Sequence, residues 1–270
     1  MSSDILVVTE PSFVFRVESY ESGNLMGTLT AIENVLREFA GVAAELGLPE
    51  DRDDATEPAD AVEPLTGLLL TRHRDRLFEM VFQRQVDQYL TYLSHLLALL
   101  FRTRPETLHA RPSGRQDEPE SVPLEVILQH ATMEELLDAV VDRRVQTLAH
   151  KGMADLTEYL ERRLGFQLFT EPGKREFAIL IVEVRNIIAH NRGVVSDTFL
   201  RRVKASPWPI GERITFDDFA THQDVLTFLD YSVADIDERA IKKWALPTCR
   251  IEAPGEEAPR RTDDDANGEP

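Results

Sequence analysis

Between residues 82 and 100, apolar side chains recur at alternating steps of four and three: Phe82, Val86, Tyr89, Leu93, Leu96 and Leu100. That spacing lays one continuous apolar seam along an α-helix and gives a strand no consistent face. A chain built on such a seam is committed to helix-on-helix packing. The helix carrying it is predicted from about Leu65 to Phe101. Leu25, Leu29, Ile32, Leu36 and Phe39 repeat the rhythm and predict an amphipathic helix over 25–46, ended by L-G-L-P.

Local signals place the remaining elements. Thr132 with Glu135 forms a capping box for a helix over 133–150. Gly152 separates it from a helix over 153–164 that stops at Gly165. Pro172-Gly173 opens the next helix, and 194–203 is a short one. S-P-W-P-I-G-E-R-I-T-F is a turn with a small hairpin, and Thr215 with Asp218 caps a last helix over about 216–243. Residues 5–16 are read as an extended segment broken at Pro11, and 102–123, with four prolines and four arginines, as a loop. The expected architecture is all-α, an up-and-down helical bundle over 65–246. Residues 1–64 form an N-terminal extended segment, helix and acidic loop, and 247–270 an acidic disordered tail.

Charge and cysteine content narrow the function classes. Two segments hold much of the net −18: residues 49–63 carry −6 and residues 251–270 carry −5, which leaves −7 for everything else. A moderately acidic body does not bind nucleic acid indiscriminately through its phosphates, so any such binding needs a local basic cleft. The single cysteine, Cys249, allows no intrachain disulfide. The start M-S-S-D-I-L-V-V lacks a basic n-region, and the longest apolar run, L-L-A-L-L-F, is too short to span a bilayer. A cytoplasmic protein with no membrane partner is expected.

Phe177 to Gly193, F-A-I-L-I-V-E-V-R-N-I-I-A-H-N-R-G, is the stretch that points to function. At about 100° per residue, Phe177, Leu180, Ile181, Val184, Ile187 and Ile188 make a core face. The opposite side holds Ile179, Val182, Glu183, Asn186, Ala189 and His190, and it is half apolar. A helix apolar most of the way round is central, or lies between its own domain and a partner. Asn186 and His190 are i, i+4 neighbours on that second face, flanked by Arg185.

Arg-Asn, then four residues ending in His, with a Gly close behind, resembles the HEPN superfamily, whose hallmark is R-x4-6-H. Arg104–His109, Arg143–His150 and Arg144–His150 also fit the bare spacing. Only Arg185–His190 combines it with the Asn, the long apolar helix ahead and Gly193 as helix stop. The resemblance extends from roughly Arg72 to Leu246. It implies a homodimer in which two such helices share a cleft, and a metal-independent endoribonuclease with no cofactor. The RNA 2′-hydroxyl would attack the adjacent phosphorus and leave a 2′,3′-cyclic phosphate. His190 would serve as general acid or base, Arg185 would steady the phosphoryl oxygens, and Asn186 would orient the His or the phosphate. Glu183 and Asn191 are supporting candidates. In that family such enzymes commonly act as toxins or in antiphage defence, sometimes restrained by an inhibitory or antitoxin protein.

Blander readings stand beside these. Arg185 alone pairs with an acid on a neighbouring helix, His190 alone is a helix-end residue favoured by the macrodipole, and Asn191 alone helps the chain leave the helix. The fold also serves as a non-catalytic module that binds RNA, a nucleotide or a protein, or as a plain scaffold. Walker, G-x-G-x-x-G and G-x-S-x-G motifs are absent, and seven scattered histidines with one cysteine give no metal-ligand spacing.

Overall fold

The computed structural model describes residues 5–45, 74–109, 124–204, 206–214 and 222–252 of the chain. Strand β1 (Ile5–Val8) leads into helix α1 (Glu10–Glu45), followed by α2 (Arg74–Thr103) and a 3₁₀ turn at Pro105–His109. Then come α3 (Leu124–Leu128), α4 (Met133–Lys151), α5 (Met153–Leu164), α6 (Pro172–Asn191), α7 (Asp197–Arg202), α8 (His222–Trp244) and strand β2 (Cys249–Glu252). The all-α expectation holds for a mostly helical chain with a single two-stranded sheet among the described residues. None of its described helices is long and apolar enough to cross a membrane.

Helix α2 is the axis of the bundle because it is apolar on more than one side. The whole predicted seam from Phe82 to Leu100 is buried, and so are Phe78, Val81, Tyr92, Leu97 and Phe101 beside it. It therefore packs against α1, α4, α6 and α8 together. Residues 65–73 of the helix expected here, the acidic loop over 50–63 and the Thr215/Asp218 cap lie outside the described residues. So do residues 110–123 of the expected loop.

The N-terminal region departs from expectation. Helix α1 begins at Glu10, fifteen residues before the predicted Leu25, and Pro11 sits in its first turn instead of breaking a strand. Proline is tolerated there because the first helical N–H groups have no intrahelical acceptor. Thr9 caps the turn by accepting from the Ser12 amide at 3.4 Å. Its own amide and hydroxyl donate to the two oxygens of Asp237 on α8, at 3.0 and 2.5 Å. Helix α1 is packed on α2 and α8.

The tail boundary also moves. Residues 249–252, expected in a disordered tail, form β2 and pair antiparallel with β1 in the register Ile5↔Glu252 to Val8↔Cys249. A four-residue strand carries too little periodicity to be read locally; its partner lies at the other end of the sequence. Residues 253–270 of that tail lie outside the described residues.

Elsewhere the capping signals are realised. Thr132 accepts from the Glu135 amide at 3.2 Å, while the Glu135 carboxylate accepts from the Ala131 amide at 2.9 Å. Gly165 ends α5 in the left-handed conformation. The connector after it is tied to α8 by Arg239, which donates to the carbonyls of Gln167 and Leu168 at 2.5 and 2.8 Å and stacks on Phe166.

Candidate functional site

Helix α6 carries the five candidate residues, and its neighbours give them different surroundings. Arg185 is mostly covered. One terminal nitrogen pairs with Asp87 of α2 at 2.5 Å and the other donates to the side-chain oxygen of Asn186 at 3.2 Å. Its Nε is buried with no hydrogen-bond partner among the described residues. The guanidinium is therefore held between Asp87 on α2 and Asn186 on its own helix, with donors left over. Asn186 is half-buried, and His190, one turn further on, is exposed and makes no hydrogen bond within the described residues.

Glu183 serves the fold. Only 4% exposed, it accepts from Arg202 of α7 with both oxygens, at 3.1 and 3.2 Å. Gly152, where α4 gives way to α5, lies against its Oε1. Asn191 donates to the Val194 carbonyl at 2.6 Å and so closes the turn that leaves α6. The structure therefore brings Arg185 and Asn186 together, leaves His190 free at the helix end, and engages Glu183 and Asn191 in local architecture.

The half-apolar second face of α6 is covered in large part by its own chain, as for a central helix. Val182 and Glu183 are buried within the same chain, where α5 and α7 pack on α6. Ala189 and His190 in the last turn are the exposed members of that face. Sequence periodicity could not assign this cover, because it comes from short helices whose docking depends on tertiary contacts.

The C-terminal exit of α6 builds a cleft. Arg192 caps the helix in the left-handed conformation, φ 53°, so it and Gly193 share the stop that was expected of Gly193 alone. Gly193 follows with φ 76°, and its amide donates back to the Ile187 carbonyl at 2.9 Å. A Cβ at Gly193 would meet the Ile214 carbonyl oxygen at 2.9 Å, so only glycine admits the close pass of the 206–214 segment. That segment is bonded by Ile214 N–H to Gly193 O at 2.9 Å and by a bridge between Val194 and Arg213, in place of the small hairpin expected within it.

Arg213 is thereby brought beside Ile188, Ala189 and Arg192 of α6. Facing them across an open cleft of about 800 Å³ are Arg76, Glu79, Met80 and Gln83 in the first turns of α2. On α6, Arg185, Ile188, Ala189 and Arg192 follow i, i+3, i+4, i+7 and share one face, as do Arg76, Met80, Gln83 and Asp87 on α2. The Arg185–Asp87 pair therefore sits on the same two helix faces, a turn deeper than the cleft lining. His190 lies off this face, roughly 140° around the helix from Arg185.

Asp87 and the three cleft arginines were missed by sequence reasoning. Residues 76, 83 and 87 look like the solvated side of a helix, and Arg213 sits in a turn far along the chain. No local pattern announces that they converge. Among the described residues, no cluster of His, Cys, Asp or Glu could hold a metal ion.

Fold and site together define a helical-bundle protein with a braced arginine and an arginine-lined cleft on its central helix pair. Comparison with family models, curated proteins and solved structures finds no match.

Proposed function

We propose that the protein is a metal-independent endoribonuclease of the HEPN type that acts through the C-terminal half of α6. The observation that carries this reading is the braced Arg185–Asn186 pair with a free, solvent-facing His190 one turn on. An arginine held in one geometry is suited to steady a phosphoryl group, and an unengaged imidazole can reach the 2′-hydroxyl or the leaving oxygen. The proton passes from the 2′-hydroxyl to a base, the 2′-oxygen attacks phosphorus, and the 5′-oxygen leaves with a proton, giving a 2′,3′-cyclic phosphate.

Arg185 and His190 point about 140° apart on one helix, so one chain does not set both against the same phosphate. The active species proposed is therefore a homodimer in which the His190 turn of one copy meets the Arg185 face of the other. A toxin or antiphage role with an inhibitory protein partner follows from the same resemblance.

The test is RNA cleavage with EDTA present, mapping product ends, together with the assembly state of the same samples. Cuts with cyclic phosphate ends that vanish in His190→Ala, with helicity and assembly unchanged, support the nuclease. A second reading, a non-catalytic RNA-binding module, stands on one observation: Asp87 already holds Arg185, which weighs against catalysis there and leaves Arg76, Arg192 and Arg213 to bind a strand. Binding without cleavage by the unmodified protein would select it.

A further inference from the structure

The arginine-lined cleft has a charge at odds with the rest of the molecule. The chain carries −18, yet the eight residues lining this cleft include Arg76, Arg192 and Arg213 against the single acid Glu79. None of the three arginines has an ion-pair partner among the described residues, and all three are exposed. In the same structure Arg102, Arg162, Arg202 and Arg239 each pair with a carboxylate. Three arginines from three separate stretches of the chain, outnumbering the one acid beside them among the described residues, make a local positive field that focuses on an anion.

Backbone geometry fixes two of the three. Arg192 occupies a left-handed position that its residue type rarely adopts, and Gly193 permits the close pass that brings Arg213 in. Between the arginines lie Met80, Ile188 and Ala189, an apolar floor against which a base or ribose can rest. Cations at the rim with an apolar floor suit a single strand, whose phosphates and bases are offered together. A free inorganic anion would leave the floor unused.

We propose that this cleft is a strand-binding subsite: Arg76, Arg192 and Arg213 hold successive phosphates of a single-stranded RNA whose bases lie over Met80 and Ile188. The assignment rests on the reading of the protein as an RNA-acting enzyme and names where its substrate is held. Because Arg185 lies a turn deeper on the same face, the bound strand runs past the braced guanidinium.

The experiment measures binding of a fluorescent 2′-O-methyl oligoribonucleotide of roughly a dozen residues, by anisotropy at several salt concentrations. The probe lacks the attacking hydroxyl, so binding is read without cleavage. Each phosphate contact on a single strand contributes a slope of about −0.7 to log affinity against log salt. Three contacts predict a loss of roughly 20-fold between about 50 and about 200 mM salt that disappears in Arg76→Gln/Arg192→Gln/Arg213→Gln. The matching Arg→Lys triple variant retains it, which separates lost charge from lost fold. Equal affinity and slope in the unmodified and Gln proteins overturns the subsite, as does stronger displacement by inorganic phosphate than by unlabelled oligonucleotide.

Cleavage assays on the same proteins separate the two readings. RNA cutting with arginine-independent binding sinks the subsite alone. Arginine-dependent binding with no cutting sinks the nuclease alone, and no binding of the probe by the unmodified protein overturns the subsite.

Discussion

Removing Arg202 isolates what Glu183 does. Glu183 is 4% exposed, and its carboxylate is held by the Arg202 guanidinium through both oxygens. Deleting one partner of a buried pair strands the other charge and costs about 3–5 kcal/mol. The Arg202 side chain is 44% exposed, so water enters the space it vacates and the expected cost of Arg202→Ala falls at the lower end, about 3 kcal/mol. For a protein of this size that lowers the melting midpoint by roughly 6–12 °C. Adding Glu183→Leu to Arg202→Ala removes the stranded charge and recovers most of the loss, since apolar replacements of buried pairs are often close to neutral. Thermal melts of the single and double variants, arranged as a double-mutant cycle, read the coupling directly. A shift below about 1 °C in Arg202→Ala, with RNA cleavage lost in Glu183→Leu at unchanged stability, would refute the structural role and return Glu183 to the active site.

Other perturbations test separate links. Asp87→Asn frees the Arg185 guanidinium from its counter-charge; oligonucleotide binding strengthens while cleavage slows, and a fall in both would show that Asp87 only supports the fold. Gly193→Ala forces a Cβ onto the Ile214 carbonyl at a φ of 76°; the expected cost is about 1–3 kcal/mol, with limited proteolysis newly cutting within 206–214, and an unchanged melt and digest would contradict the close pass. Asp237 has its carboxyl pushed above the ordinary 3.8 by burial, with the Thr9 hydrogen bonds and Arg16 opposing. The folded state therefore binds its proton more tightly than the unfolded chain, and this contribution to stability is present below about pH 4 and lost as pH rises through the raised value. Asp237→Asn keeps an acceptor for the Thr9 amide and a donor for its hydroxyl, so its stability should decline less over that rise; denaturant midpoints across the acid range that parallel the unmodified protein would exclude the effect.

Helical class and several element ends were legible in the sequence, because these depend on neighbours a few residues apart. The Phe82–Leu100 seam, the Thr132 cap and the Gly165 stop each need only local spacing and backbone preference, and each is realised. The Arg185, Asn186 and His190 set could be picked out for the same reason: they share one helix. What that set touches was settled only in three dimensions. Asp87 lies almost a hundred residues from Arg185, and Arg202 reaches Glu183 from a helix too short to announce its docking. The start of α1 is tied to Asp237, more than two hundred residues along the chain, and β2 to a strand near the other end of the sequence. Long-range contacts of this kind follow from how side-chain volumes and charges fit once the helices dock, and no local period records them.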